Sequence, residues 1–253
     1  MKALILAGGQ GDGPLKEISG NKALIKINGR EMIMYVIDAL KQLDFIDRIS
    51  VVGDEAKLSP IRDHVDAITA GGSSLPDNVL KGVEPFPDEE DILVLTCDIP
   101  MITPEAINDF VEKARRLDAE FCYPIVKKED NERKYPGVHR TYVRIKDGTF
   151  TGGNIFLVKA GVVRKAIHRA EAFLTYRKKP WMLAKILGIA FVVKFVMGTL
   201  TISELEKKVS ALFGVKARAV ISPYPEIGTD VDKASDLELA MKVLSGGVYD
   251  EAQ

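Results

Sequence analysis

The sequence predicts an α/β fold, a mostly parallel sheet flanked by helices. Three observations predict it. Short apolar runs recur through the first hundred residues, at Ala3–Ala7, Ile49–Val52, Val65–Thr69 and Ile92–Thr96, each the length of a buried strand. Segments of helical apolar period lie between them, as at Ile33, Val36, Ile37 and Leu40, and that rhythm is the signature of crossover connections. The runs also end at turn or polar residues, at Gly8-Gly9, Gly53, Gly71-Gly72 and Asp98. Ligands of such sheets bind beyond the carboxyl ends of the strands. The expected architecture is Rossmann-like. It is one domain over 1–253, with a small hairpin and a helical, partly apolar insertion at 160–216.

The 253 residues are 46% hydrophobic and 28% charged, ordinary for a globular chain in water. Formal net charge is −1 at pH 7, which argues against a protein that coats nucleic acid. Cys97 and Cys122 are too few for a disulfide framework, and no zinc-ligand spacing surrounds them. His64, His139 and His168 have no triad or ligand spacing and receive no role. Met1-Lys2 leads at once into a strand and a glycine loop rather than a signal peptide. The expected setting is the reducing cytoplasm.

The elements follow in order. After the first strand, Gly8-Gly9-Gln10-Gly11-Asp12-Gly13-Pro14 is nearly free of side chains. Such a turn lets backbone N–H groups close on a phosphate chain, and Lys22 at its far end can fold back onto the same anion. The spacing fits neither a P-loop nor the dinucleotide fingerprint. Ala23–Ile27 reads as a short strand, Asn28-Gly29 as a turn, and Glu31–Leu43 and Leu75–Val83 as helices. Thr103-Pro104-Glu105 opens another helix, with a hydroxyl cap and a proline at its first position. Lys127–Gly137 reads as a charged loop. Thr141–Ile145 and Thr149–Val158 read as a hairpin around Asp147-Gly148. Val162–Phe173 is a helix, Thr201-x-x-Glu204 boxes the next, Ala217–Ile221 is a strand, and Ser235-x-x-Glu238 caps the last helix. The tail from Gly246 is expected to fray.

Several residues stand out for their chemistry. Asp98 follows the most apolar strand, where a carboxylate is placed to hold Mg²⁺ with phosphate oxygens and water. Capping the next turn is the competing reading. Asp230 and Asp232 stand at i and i+2, so in an extended segment both face one cation, whose charge relieves their repulsion. A solvated turn before the last helix fits the same residues. Gly152-Gly153-Asn154 interrupts a strand, which marks either a close ligand or a plain bulge. Arg140, Tyr142 and Arg144 share one face of an extended segment, either an ordinary exposed face or a seat for an acceptor phosphate.

Leu6-Ala7-Gly8-Gly9-x-Gly11, with Lys22 about a dozen residues on, then Ala23-Leu24-Ile25 and Asn28-Gly29, resembles the signature of the nucleotidyltransferases. These include the sugar-phosphate pyrophosphorylases, the molybdenum cofactor guanylyltransferases and the methylerythritol-phosphate cytidylyltransferases. Asp98-Ile99-Pro100 is similar to their Asp-x-Pro metal motif. The stretch from Asp230 through Glu238 resembles their carboxy-terminal Asp-x-x-Thr-Pro-Glu-Asp-Leu pattern, with threonine, proline and glutamate replaced. The resemblance implies nucleotide contacts by Leu6, Ala7, Gly8, Gly9, Gly11, Lys16, Lys22, Gly71, Gly72, Asn78 and Asp98. It implies catalytic roles for Lys22 and Asp98. Asp98, with Asp230 and Asp232, would ligate Mg²⁺, Asp230 being favoured over Asp232. Gly153, Asn154 and Arg140 would touch the acceptor. One departure is Gly13, where the family usually has an arginine on the triphosphate; Lys16 is the candidate substitute.

The implied reaction is attack by a phosphate ester on the α-phosphate of a nucleoside triphosphate, with CTP or GTP favoured and pyrophosphate released. A glycosyltransferase of the same fold would carry Asp-x-Asp at a central strand's end, and Cys97-Asp98-Ile99-Pro100 offers a single aspartate. A nucleotide-binding regulatory protein without activity is favoured by Gly13 and opposed by the joint presence of Lys22, Asp98 and Asp230. The expected partners are a nucleoside triphosphate and a phosphorylated small molecule, with no nucleic acid and with a homo-oligomer through the 127–151 region. Trp181–Leu200 stays apart from this scheme, apolar but for Lys185 and Lys194 and preceded by Arg177, Lys178 and Lys179. Its length would span a bilayer, but Gly188 and the interior lysines argue against that. Two readings stay open. One is a buried or subunit-interface helix pair. The other is a peripheral contact of 164–200 with the anionic inner face of the membrane.

Overall fold

The computed structural model describes residues 1–8, 20–176 and 186–246. The expectations for Gly9, Gly11, Gly13 and Lys16, for residues 177–185, and for the tail after Gly246 lie outside the described residues.

Strand β1 (Lys2–Leu6) is followed by the short hairpin β2 (Lys26–Ile27) and β3 (Arg30–Glu31), helix α1 (Met32–Lys41), β4 (Arg48–Gly53) and β5 (Ala67–Ala70). Helix α2 (Leu75–Val83), β6 (Asp91–Thr96), α3 (Pro104–Arg116), β7 (Phe121–Lys127) and α4 (Lys128–Lys134) come next. Then follow β8 (Val143–Ile145), β9 (Gly148–Gly152), β10 (Ile155–Lys159) and α5 (Ala160–Tyr176). Helices α6 (Ile189–Val196) and α7 (Ile202–Phe213), β11 (Ala217–Ser222) and α8 (Ala234–Leu244) complete the described chain.

The main sheet has nine strands, in the order β5-β4-β1-β6-β10-β7-β9-β8, with β11 paired to β7. The β5-β4-β1-β6 half is parallel, as the apolar runs predict. In the other half β10 enters antiparallel between β6 and β7, and β9 and β8 continue antiparallel. Side chains alternate across β1. Ala3 and Ile5 join the core under α1 and α3, while Leu4 and Leu6 join the core under α2 and α5. Each fully buried leucine here contributes roughly 1.5–3 kcal/mol. A Cβ on Gly82 would lie 2.4 Å from Leu4 Cδ2, so only glycine lets α2 press this closely on the sheet.

Four details differ from expectation. Residues 22–24 form a 3₁₀ turn ahead of β2 rather than strand, because Asn21 Oδ1 accepts the Ala23 N–H at 3.0 Å. Lys127–Gly137 is not a loop but contains α4, whose inward face is polar. Its buried Asn131 donates to the Tyr142 hydroxyl at 2.7 Å. Strand β7 has no counterpart in the expected elements. Its Pro124 sits where the antiparallel partner breaks between β9 and β10, and its carbonyl accepts from Gly153 N–H at 3.0 Å. The last helix starts at Ala234 instead of being capped by Ser235. The Asp236 carboxylate accepts from the Asp232 and Lys233 N–H groups, at 3.0 and 3.1 Å.

Candidate active site

Because β1, β4, β5 and β6 are parallel, their carboxyl ends open at one edge. Backbone bonds continue the ladder past those ends: Ala7 N–H to Val52 O at 2.8 Å, Gly71 N–H to Gly53 O at 2.8 Å, and Cys97 N–H to Leu6 O at 3.2 Å. The cleft beyond them has a volume of about 1030 Å³ and is lined by Leu6, Ala7, Gly8, Lys22, Gly71, Gly72, Asn78 and Asp98 among others. Of the expected nucleotide contacts, every described one therefore lies on this cleft. The cleft is large enough for a nucleotide.

Lys22 begins the 3₁₀ turn that Asn21 caps, and its ammonium reaches Asp98 Oδ2 and Asp232 Oδ1, each at 2.5 Å. Asp98 is placed by the end of β6. Its carbonyl accepts from Val231 N–H at 2.9 Å, which draws the 230–232 segment across from a distant part of the chain. Oxygens of Asp98, Asp230 and Asp232 all lie within 4.8 Å of one another. Asp98 Oδ1 is buried without a hydrogen-bond partner. Burial pulls the Lys22 pKa down, but Asp98 and Asp232 outweigh it and hold the ammonium charged well above its usual range. Burial likewise pushes Asp232 up, and Lys22 outweighs it and leaves the carboxyl below its usual value. Asp230 is pushed up to about 7, first by burial and then by the neighbouring Asp232 and Asp98 charges. Burial raises the Cys97 thiol, so it stays protonated and is no nucleophile.

The profile of the MobA-like NTP transferase domain matches residues 3–179. The chain belongs to that family. A probable molybdenum cofactor guanylyltransferase of Thermococcus kodakarensis is 27% identical over 124 residues, which is 49% of this chain and 59% of the relative. The match thus spans about three fifths of that curated relative. Bifunctional protein GlmU of Clostridioides difficile is 28% identical over 68% of this chain and 34% of its own length. A hypothetical transferase of Thermus thermophilus has the same fold at a TM-score of 0.83. It is 36% identical, with 93% of this chain and 98% of that one covered. The 4-diphosphocytidyl-2C-methyl-D-erythritol synthase of Anaerococcus prevotii shares the fold at a TM-score of 0.60 and 13% identity.

In this NTP transferase domain four expected site residues, Arg140, Asn78, Gly153 and Asn154, make contacts within the protein that the sequence does not show. Arg140 is not on an exposed strand face, since β8 begins only at Val143. Its guanidinium donates to Asp230 Oδ1 at 2.7 Å and to Asp230 O at 3.0 Å, with Asp236 Oδ1 at 3.8 Å, so it holds the Asp230 carboxylate. Asn78 is buried, and its amide oxygen accepts from Gly72 N–H at 2.6 Å. It ties the loop after β5 to α2. A Cβ on Gly8 would lie 2.7 Å from Asn78 Nδ2, so only glycine fits that closely against the same amide. Gly153 is crowded by protein, with Ile227 Cγ2 2.5 Å from where a Cβ would be. Asn154 bridges the two halves through backbone alone, N–H to Ile227 O at 2.8 Å and O from Thr96 N–H at 3.0 Å. Two residues escaped the sequence reading. Lys57 lines the cleft and donates to Gly20 O at 3.2 Å. Glu226, almost fully buried, receives Lys134 Nζ at 2.7 Å beneath the 230–232 segment. Position beyond a strand end could have flagged Lys57, but nothing local marks Glu226.

Proposed function

We propose that this chain is a Mg²⁺-dependent nucleotidyltransferase. It moves a nucleoside monophosphate from a nucleoside triphosphate to a phosphorylated small molecule and releases pyrophosphate. The observation that carries this reading is the convergence of Asp98, Asp230, Asp232 and Lys22 at the edge of a cleft floored by glycine backbone. The donor set fits a hard divalent cation. It is all carboxylate oxygen, it is crowded with like charge, and it includes the partnerless Asp98 Oδ1. Asp98, Asp230 and Asp232 would hold Mg²⁺, which when bound supplies charge neutralisation to phosphate oxygens. Arg140 orients Asp230, and Lys22 stabilises the negative charge that develops on the transferred phosphoryl group. An acceptor phosphate oxygen forms the bond to the α-phosphorus as the bond to the bridging oxygen breaks, and pyrophosphate leaves with that electron pair. The acceptor oxygen is already an anion at neutral pH, so no general base is required.

The names of the curated relatives support GTP as a donor to test first, with CTP beside it. The domain reading extends over 1–253, because β11, beyond the helical insertion, returns to pair with β7 in the main sheet. The experiment is pyrophosphate release from CTP, GTP, UTP and ATP, with and without Mg²⁺, across a panel of phosphorylated acceptors. Mg²⁺-dependent release from one triphosphate, silenced by Asp98→Ala, is the expected result. Turnover of a nucleotide-sugar, with no triphosphate consumed, would overturn it.

A further inference from the structure

Glu226 is an acidic side chain only 1% exposed, in the 3₁₀ turn Pro225–Gly228, whose four residues are all buried. No step of the transfer reaction uses it. One carboxylate oxygen receives Lys134 Nζ at 2.7 Å, and the other accepts from the Thr103 hydroxyl at 3.4 Å. Taking a carboxylate out of water offsets most of what an ion pair returns, so the pair is a poor source of net stability. What it fixes is geometry.

Both partners of Glu226 lie on segments that carry the site. The loop that leaves Asp98 ends at Thr103, whose hydroxyl also caps α3. Lys134 is the last residue of α4, and the chain runs on from it to Arg140, whose guanidinium grips Asp230. Glu226 is itself joined to Asp230 by a turn closed on itself. The Thr229 hydroxyl donates to Pro225 O at 2.8 Å, and Thr229 N–H donates to Glu226 O at 3.4 Å. A Cβ on Gly228 would lie 2.8 Å from Gly152 O, so this turn has no slack against β9. Asp98, Asp230 and Asp232 repel one another when no cation lies between them. The segment that bears Asp230 and Asp232 must therefore be held against that repulsion. We infer that Glu226 is a positioning residue for the divalent-cation site. By binding Lys134 and Thr103 together, it joins the segments of Asp98, Arg140 and Asp230 and keeps Asp230 within reach of Asp98. The inference rests on the Mg²⁺ role proposed for those carboxylates.

The test is Mn²⁺ binding by the full chain without nucleotide, read from loss of the free-ion signal in electron paramagnetic resonance. Carboxylate sites for Mg²⁺ also take Mn²⁺. Wild type should bind the ion and Asp98→Ala should not. Glu226→Gln keeps the side chain's shape and should weaken Mn²⁺ affinity about tenfold, the lower end of what loss of an orienting partner costs. Lys134→Ala should do the same, and the double variant no more than either change alone, because both break one link. Lys134 is 44% exposed, so its variant serves if Glu226→Gln fails to fold. Unchanged Mn²⁺ affinity in a folded variant overturns the inference, even where its melting temperature falls, because a pair that only stabilises the fold behaves that way. Wild type that binds no Mn²⁺ overturns the Mg²⁺ reading and this inference with it. Wild type that binds, with variants that bind equally well, leaves the Mg²⁺ reading standing and removes the inference alone.

Discussion

Arg140 makes a sharper test of the site than the carboxylates themselves. Asp98→Ala removes a proposed Mg²⁺ ligand outright and should abolish turnover in a pyrophosphate assay while nucleotide-free melting barely changes. Arg140→Lys keeps the charge but loses the planar fork that grips both the side chain and the backbone of Asp230. Loss of such an orienting partner costs about 10–100-fold in metal affinity or activity. The expected outcome is an Arg140→Lys protein of near-normal fold whose activity needs far more Mg²⁺, read from a metal titration of initial rates. An unchanged Mg²⁺ requirement would sink the positioning role. Asp98 was visible in the sequence as a strand-end carboxylate, Asp230 and Asp232 as an i, i+2 pair, and Lys22 by its place at the far end of the glycine loop, with the resemblance to the nucleotidyltransferases tying the four together. Arg140 was visible only as an exposed strand residue or an acceptor contact, and its hold on Asp230 was not, since that partner lies 90 positions away. The bond from Gly72 N–H to Asn78 Oδ1 was hidden for the same reason. A side-chain amide that reads a base and one that pins a glycine loop look identical until the fold sets the neighbours.

Elements were legible where burial wrote a period into the chain. Strands β1, β4 and β6 have apolar cores on both faces and stand out as runs, and α2 begins and ends where the pattern says. Helix α4 was invisible because its inward contacts are Asn131 to Tyr142 and Lys134 to Glu226, which leave no apolar stripe. Strand β7 was hidden by Pro124, which is tolerable only at the break between β9 and β10. That break gives a prediction. Gly153→Ala places a methyl group against Ile227 and Pro124 and should destabilise by about 1–3 kcal/mol through overpacking. Denaturant unfolding would show it as a lowered midpoint at constant slope. Thr201→Ala removes one half of a complete capping box on α7 and should cost about 1 kcal/mol. Helix α7 does not line the cleft, so nucleotide binding by Thr201→Ala should match wild type. A binding loss there would show that the insertion communicates with the site.

At the scale of the molecule the site is a local conflict that the rest of the fold holds together. Three carboxylates are drawn onto one point by β6, by the Val231 to Asp98 backbone bond and by the Asp236 cap. Lys22 compensates for only part of that charge. The consequence is a pH dependence whose sign can be worked out. Asp230 is raised from 3.8 to about 7, so the folded chain binds a proton that the unfolded chain releases. Its contribution to stability is full below 3.8 and is lost as pH rises through about 7. Asp232 is lowered, so it acts only below the ordinary aspartate range and does not cancel this. In EDTA the melting temperature of wild type should therefore fall across that window relative to Asp230→Asn. Mg²⁺ at the upper end should reverse the fall, since a ligand of the native state adds about 2.7 kcal/mol at a hundredfold excess over its Kd. The same cation should do little for Asp230→Asn. Parallel pH slopes for the two proteins would mean that Asp230 ionises normally and that the three carboxylates are not in conflict. A slope without Mg²⁺ rescue would leave the conflict in place but remove the divalent cation as its resolution.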